Sequence, residues 1–230
     1  MNKLTIPLET SATTALVYPA AGRAIDATLI LAHGAGTGQQ SAFIVGFAQA
    51  LSARGLDIVT FNFLYTEQRR KIPDRAPALE SCFQAVIGTV VERVASARTA
   101  LFIGGKSMGG RIATQVAAAD AQLPIDGLVL LGYPLHPPGR PDERRDKHLP
   151  AIGRPLLFVQ GTRDPFGTPT ELAPILDALG ANATLLPVDG GEHSFKIARK
   201  DAQAEVYTRV QEAIVTWTRA IAAAKRRVGR

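Results

Sequence analysis

Gly105-Lys106-Ser107-Met108-Gly109 sets a serine between two glycines, after the apolar run Ala100–Gly104 and before the helix-like stretch Gly109–Ala119. A G-x-S-x-G pattern between strand and helix is a turn sharp enough to lift a serine hydroxyl above a sheet. Such a hydroxyl attacks a carbonyl only when a base removes its proton. Asp164 stands in GTRDPFG after the apolar run Pro155–Gly161, and His193 in GGEHSFK after Ala183–Val188. The chain order Ser107, Asp164, His193 suits a serine on such a turn. Their roles would be nucleophile, orienting acid and general base. The tetrahedral oxyanion then needs two backbone N–H donors. Met108 is one candidate, and Ala35 in His33-Gly34-Ala35-Gly36 is the other.

Other residues past strand ends are weighed the same way. Phe63, Tyr65, Tyr133 and Phe166 are candidates to line an acyl or alcohol pocket, and each is equally explained by packing. Arg69 and Arg70, with Lys71 and Arg75, are either a solvated charged loop or guanidinium forks for a carboxylate or phosphate. Lys106 either packs its stem with the ammonium in solvent or a salt bridge, or attracts an anionic substrate. Asp177 and Asp189 are weaker alternatives for the acid. Among the histidines, His33 suggests a structural hydrogen bond, and His136 and His148 suggest a solvated loop. Cys82 falls on a helix face and reads as core.

Two phosphate motifs fail. A G-x-x-x-x-G-K-S loop would need glycine at 100, where Ala100 stands, and G-x-G-x-x-G after His33 would need glycine at 39, which is Gln39. No His, Asp or Glu cluster has metal-ligand spacing, so neither metal nor cofactor is expected.

The elements that must position these groups alternate along the chain. Leu4–Pro7 and Ala15–Tyr18 read as an opening strand pair. Ala27–Ala32, Asp57–Phe63, Ala100–Gly104, Gly127–Gly132, Pro155–Gly161 and Ala183–Val188 read as buried strands. Between them, Ser41–Arg54, Ala78–Ala95, Gly109–Ala119 and Thr170–Leu179 have helical character, and Asp201–Ala224 closes the chain. In Ala78–Ala95 the residues Leu79, Cys82, Phe83, Val86, Val90 and Val94 recur at helical spacing. Continuous Val/Ile/Leu strands alternating with helices indicate a doubly wound, mostly parallel α/β sheet covered on both faces. Reactive residues then collect past the carboxyl ends of the strands. The Pro- and charge-rich stretch 134–150 is too short for a large lid domain.

At 230 residues the chain suits a single domain spanning 1–230. One cysteine allows no internal disulfide, and no apolar run approaches the roughly 20 residues of a membrane helix. A start without an apolar h-region suggests a cytoplasmic protein. The net charge is +6, and four of the cations lie in the terminal KRRVGR. That tail reads as a cationic helix end rather than a nucleic-acid or membrane contact.

LILAHGAG, NFLY with the following Arg pair, GGKSMGGR, GTRDPFG and GEHSFK together resemble the α/β-hydrolase superfamily, over roughly Thr28 to Trp217. The combination is similar to hydrolases related to dienelactone hydrolase, grouped with eukaryotic testis-expressed and non-specific-lethal-complex proteins. The resemblance implies an α/β-hydrolase fold and a serine esterase machinery acting on a small ester, thioester or related acyl substrate. A non-catalytic binding or scaffold module and a cofactor-free peroxidase-type reaction are the alternatives. The chain departs from dienelactone hydrolase proper, which uses a cysteine nucleophile. It also departs from common esterases at Lys106, where His, Tyr or Phe often stands. Neither substrate identity nor oligomeric state follows from the resemblance.

Overall fold

The computed structural model describes residues 2–228, so the last two residues of the basic tail lie outside it. Eight strands form one sheet: β1 (Asn2–Pro7), β2 (Ala12–Tyr18), β3 (Thr28–Ala32), β4 (Asp57–Phe61), β5 (Leu101–Lys106), β6 (Gly127–Leu131), β7 (Leu156–Gly161) and β8 (Ala183–Val188). Their order is β1-β2-β4-β3-β5-β6-β7-β8. The first two strands are antiparallel and the rest parallel. The doubly wound, mostly parallel sheet expected from the sequence is therefore present.

The helices are α1 (Ala42–Ser52), α2 (Leu64–Glu67), α3 (Ala76–Arg93), α4 (Ala95–Thr99), α5 (Met108–Ala119), α6 (Pro169–Leu179) and α7 (Gln203–Val228). One face of the sheet packs on α3, α5 and α6 through Phe83, Val86, Ile112, Val116 and Leu172. The other packs on α1 and α7 through Ile44, Phe47, Leu51, Val210 and Ile214. Strands β3, β5 and β6 are buried at every position, as sheet-centre strands covered twice must be. Strand β8 is fully buried only at Val188 and carries Pro187, which only an edge strand accommodates easily.

The two stretches expected to be loop are largely loop, with two local features. The stretch after β4 contains α2, too short to show helical periodicity. The stretch 134–150 is anchored to the body. The Tyr133 hydroxyl donates to Arg145 O at 2.5 Å, and Arg145 N–H donates to Leu135 O at 2.8 Å. His136 is buried rather than solvated, and His148 is only partly exposed. His136 is 5% exposed with Nε2 3.0 Å from Glu171 Oε1, and His148 Nε2 lies 2.8 Å from Thr114 Oγ1.

Strand order reverses direction between β3 and β5. In an open α/β sheet that switch point opens a crevice at the carboxyl ends. The loop His33–Gly36 follows β3 and Ser107 follows β5, so the topology alone brings them side by side.

Candidate active site

Ser107 sits between β5 and α5 at φ 52, ψ −116, a sparsely populated backbone region for a residue with a side chain. Such strain costs on the order of 1–3 kcal/mol and persists because surrounding contacts fix it. Ser107 N–H donates to Leu131 O and Arg111 N–H donates back to Ser107 O, each at 3.0 Å. Gly109 lets the first turn of α5 press against β3: a Cβ there would lie 2.7 Å from both Ala32 O and His33 O. Gly105 is equally enclosed, its Cβ position being 2.4 Å from Ala32 O. The serine is therefore lifted above the sheet by contacts only glycine permits.

His193 Nε2 stands 2.8 Å from Ser107 Oγ. On the other side of the ring, Nδ1 stands 2.8 Å from Asp164 Oδ2 and 3.0 Å from Oδ1. A carboxylate accepts only, so Nδ1 carries the proton and Nε2 is left to accept from the serine hydroxyl. Asp164 is buried and its carboxylate is held twice: Phe166 N–H donates to Oδ1 and Gln160 Nε2 donates to Oδ2, both at 2.9 Å. The Phe166 ring lies against the imidazole at 4.2 Å between centroids.

Gln160 was not singled out in the sequence. It is fully buried at the end of β7, and its amide also donates to Gly167 O while its oxygen accepts from Tyr133 N–H. It ties the acid loop to the loop after β6. A polar residue inside PLLFVQG was the available signal. Phe195 also went unremarked. Fully buried at φ 62, it anchors the His193 turn against Phe43 and Phe47 of α1.

Ala35 and Met108 both line the cavity beside Ser107. Among the described residues, neither backbone N–H has an acceptor in the protein. The loop carrying Ala35 is pinned by His33: Phe63 N–H donates to Nε2 at 3.2 Å, leaving Nδ1–H to donate to Gly34 O at 2.8 Å. Burial holds the His33 pKa below its usual value, so the ring stays neutral in this role.

The cavity is about 550 Å³. Its walls include Phe43, Ile44, Leu79 and Pro134, with Phe166 against the imidazole. Of the expected pocket residues, only Phe166 lies on the wall. Phe63 and Tyr65 are buried behind His33, with Phe63 packed on Phe61 and Phe83. Tyr133 is consumed by its bond to Arg145 and its contact with Phe158. Arg69 and Arg70 are not on the wall, although Arg70 pairs at 2.5 Å with Asp74, which is. These five residues follow strands in sequence, but the core claims the aromatics, and the arginines lie beyond the end of α2, off the cavity wall.

Lys106 corrects the sequence reading in another way. It is 7% exposed, and its Nζ has no hydrogen-bond partner among the described residues. Neither solvent nor a salt bridge holds the ammonium. Burial pulls its pKa down to about 7, against a smaller opposing pull from the Asp164 carboxylate. Cys82 is core as expected, and burial pushes its thiol up to about 12.

Solved structures with this fold come from several bacteria. A serine hydrolase without a lid from Xanthomonas campestris is 23% identical at a TM-score of 0.73, covering 94% of each chain. A serine hydrolase homologue from Coxiella burnetii is 17% identical at 0.73, covering 94% of this chain and 96% of its own. A dienelactone hydrolase from Anabaena variabilis is 19% identical at 0.71, covering 92% and 94%. Residues 25–222 match the α/β hydrolase domain, and the chain belongs to that family.

Proposed function

We propose that this protein is a serine hydrolase that cleaves a small ester, thioester or related acyl substrate through an acyl-enzyme. The observation that carries this reading is the unbroken relay from Ser107 through His193 to Asp164, at 2.8 Å each, opening into a cavity. The motif set supports placing the chain near the dienelactone-hydrolase-related subgroup, with serine as nucleophile.

In this reading the substrate carbonyl enters beside Ser107 with its oxygen toward the Ala35 and Met108 N–H groups. His193 Nε2 takes the hydroxyl proton as Oγ forms a bond to the carbonyl carbon. The resulting imidazolium is stabilised by Asp164. The oxyanion is held by the two backbone donors, each worth about 10²–10³ in rate. Collapse breaks the bond to the leaving group, which departs with the proton from His193. In the second half water attacks the acyl carbon as His193 takes its proton, and collapse breaks the bond to Ser107 Oγ, which recovers that proton from His193 as the carboxylic acid leaves. No metal or cofactor is needed for either half.

A cavity of about 550 Å³ accommodates a molecule of modest size, which favours a small substrate.

The test is pre-steady-state hydrolysis of 4-nitrophenyl acetate and butyrate. The proposal expects a burst of nitrophenol equal to the enzyme concentration and its loss in Ser107→Ala. Unchanged turnover in Ser107→Ala would overturn it. Asp164→Asn should keep the fold and lower kcat by about 10³–10⁴, because the imidazole loses its orienting charge.

A further inference from the structure

The acid of the relay stands on a loop, Asp164–Thr168, that is clamped by a side-chain pair outside the relay. His136, on the anchored stretch after β6, is 5% exposed. Its backbone N–H donates to Phe166 O at 3.1 Å. The preceding Leu135 packs so closely that a Cβ on Gly167 would lie 2.7 Å from its own Cβ. Glu171 holds the far end of the same loop, its Oε2 accepting from the N–H and the hydroxyl of Thr168 at 2.8 Å each. The clamp closes where His136 Nε2 meets Glu171 Oε1 at 3.0 Å.

The ring of His136 has an oxygen acceptor at each nitrogen. Nδ1 stands 2.9 Å from Pro137 O, a carbonyl, which never donates. Nε2 stands against a carboxylate oxygen, which donates only when protonated. Hydrogen bonds from Thr168, first from its backbone, and from His136 hold the Glu171 carboxyl below its usual range, so it is ionised. Either neutral tautomer of the ring would set a nitrogen lone pair against an oxygen lone pair in a buried setting, which is a costly arrangement. Two protons on the ring satisfy both contacts at once. Among the described residues, Glu171 is the charged group paired with it. On its own stretch, Arg140 pairs with Glu143 and Arg144 with Asp146, while Arg145 lines the cavity. On the clamped loop, Asp164 is bound to His193.

That loop makes two contacts with the relay through Phe166. Its N–H donates to Asp164 Oδ1 at 2.9 Å, and its ring lies 4.2 Å from that of His193. One peptide of Phe166 thus holds the acid, and the other is held by His136.

We infer that His136, as an imidazolium paired with Glu171, is a positioning residue that fixes Phe166 and through it the geometry of Asp164 and His193. This rests on the serine hydrolase reading for its kinetic consequence, but not for the protonation of the ring. A relay whose only titrating group is its base gains activity as that base loses its proton. A second histidine that must keep its proton adds a fall on the alkaline side.

Two measurements test this. The first is nitrogen NMR of histidine-labelled protein, which distinguishes protonated from bare ring nitrogens and requires no turnover. In wild type at pH 7 both nitrogens of His136 should carry a proton, the signals being assigned by their loss in His136→Gln. Glu171→Gln keeps a residue type suited to the capping box and removes the charge. There the His136 proton should be lost about one pH unit lower than in wild type. A neutral His136 ring in wild type, or no shift in Glu171→Gln, would overturn the inference. The second follows kcat and KM for 4-nitrophenyl acetate across pH. Wild-type kcat should fall about tenfold over the interval in which the His136 signals lose their proton, with KM within about twofold. Glu171→Gln should move that fall to lower pH, and His136→Gln should be about tenfold slower at pH 7 and lack the fall. If His136→Gln does not fold, the displaced fall in Glu171→Gln decides alone. Lys106, with its pKa of about 7, is common to all three proteins, so the difference between their profiles isolates His136. If proton loss from His136 shifts the His193 signals but no ester is cleaved, the positioning role stands and the hydrolase reading falls. If esters are cleaved and the folded variants keep the wild-type kcat and profile, the positioning role falls and the hydrolase reading stands.

Discussion

At the scale of single residues, the site depends on groups that hold other groups. Gln160 has no reach to Ser107, yet it donates to Asp164 and bridges two loops. Replacing it with Leu keeps the volume and removes the donors. Asp164 and Gly167 O would then lose partners in a buried setting, at a cost of roughly 1–3 kcal/mol. We expect kcat to fall about ten- to a hundredfold with KM within about twofold, because the base loses its orientation rather than its substrate. Equal losses in kcat and KM would point to a general collapse of the pocket instead.

Lys106 is the residue whose burial has the clearest pH consequence. Its folded pKa of about 7 lies below the unfolded value of 10.5. The unfolded chain therefore binds more protons between those values, and stability rises as pH climbs through that window. Below pH 7 the cost of the buried ammonium is fully present. Lys106→Met should be more stable than wild type at pH 6 by roughly 1–3 kcal/mol. It should also lack the wild-type rise between pH 7 and 10. Urea unfolding at pH 6 and pH 9 measures both, and parallel pH profiles for the two proteins would contradict the assignment.

At the scale of elements, the turns matter more than the strands. The entry of α5 against β3 is limited by backbone oxygens at 2.7 Å from a Cβ on Gly109. Gly109→Ala should therefore cost more than 3 kcal/mol or prevent folding, since backbone cannot yield as a side chain can. Gly88 in α3 is exposed, with nothing within 4 Å of a Cβ. Gly88→Ala should stabilise by about 0.5–1 kcal/mol through helix propensity. Thermal unfolding of the pair gives opposite signs if close approach, rather than glycine content, shapes the elbow.

These elements also show what the sequence makes legible. Runs such as TLILA and GLVLL announce central strands because burial on both faces demands continuous apolar character. Ser107 and Asp164 follow such runs and His193 follows the apolar edge strand β8, and their residue types fit one chemistry, which made them identifiable. The pocket wall was not. Phe63 and Tyr133 follow strands as faithfully as Phe166 does, but only long-range packing decides which aromatic turns inward. That Arg111 and Arg145 line the same cavity depends on how the stretch after β6 is anchored, and no local pattern encodes that. Helices α2 and α4 escaped notice because four or five residues carry too little periodicity.

At the scale of the whole molecule, a parallel sheet with a switch point between β3 and β5 supplies one crevice, and the chain places its reactive groups there. The fold is shared with proteins that resemble it at 17–23% identity. It fixes the position of a site without fixing its substrate. In this molecule the crevice is lined by Lys106, Arg111 and Arg145 as well as Asp74, on a chain whose net charge is +6. None of its helices is long and apolar enough to cross a membrane among the described residues.

The central claim is that Ser107 is an activated nucleophile with His193 as its base. Labelling with a fluorescent fluorophosphonate tests this directly, because the probe reacts with an activated serine irrespective of substrate. Wild type should label, while Ser107→Ala should not label and His193→Ala should label at least a hundredfold more slowly. Absence of labelling in folded wild type, or labelling that survives Ser107→Ala, would contradict the account.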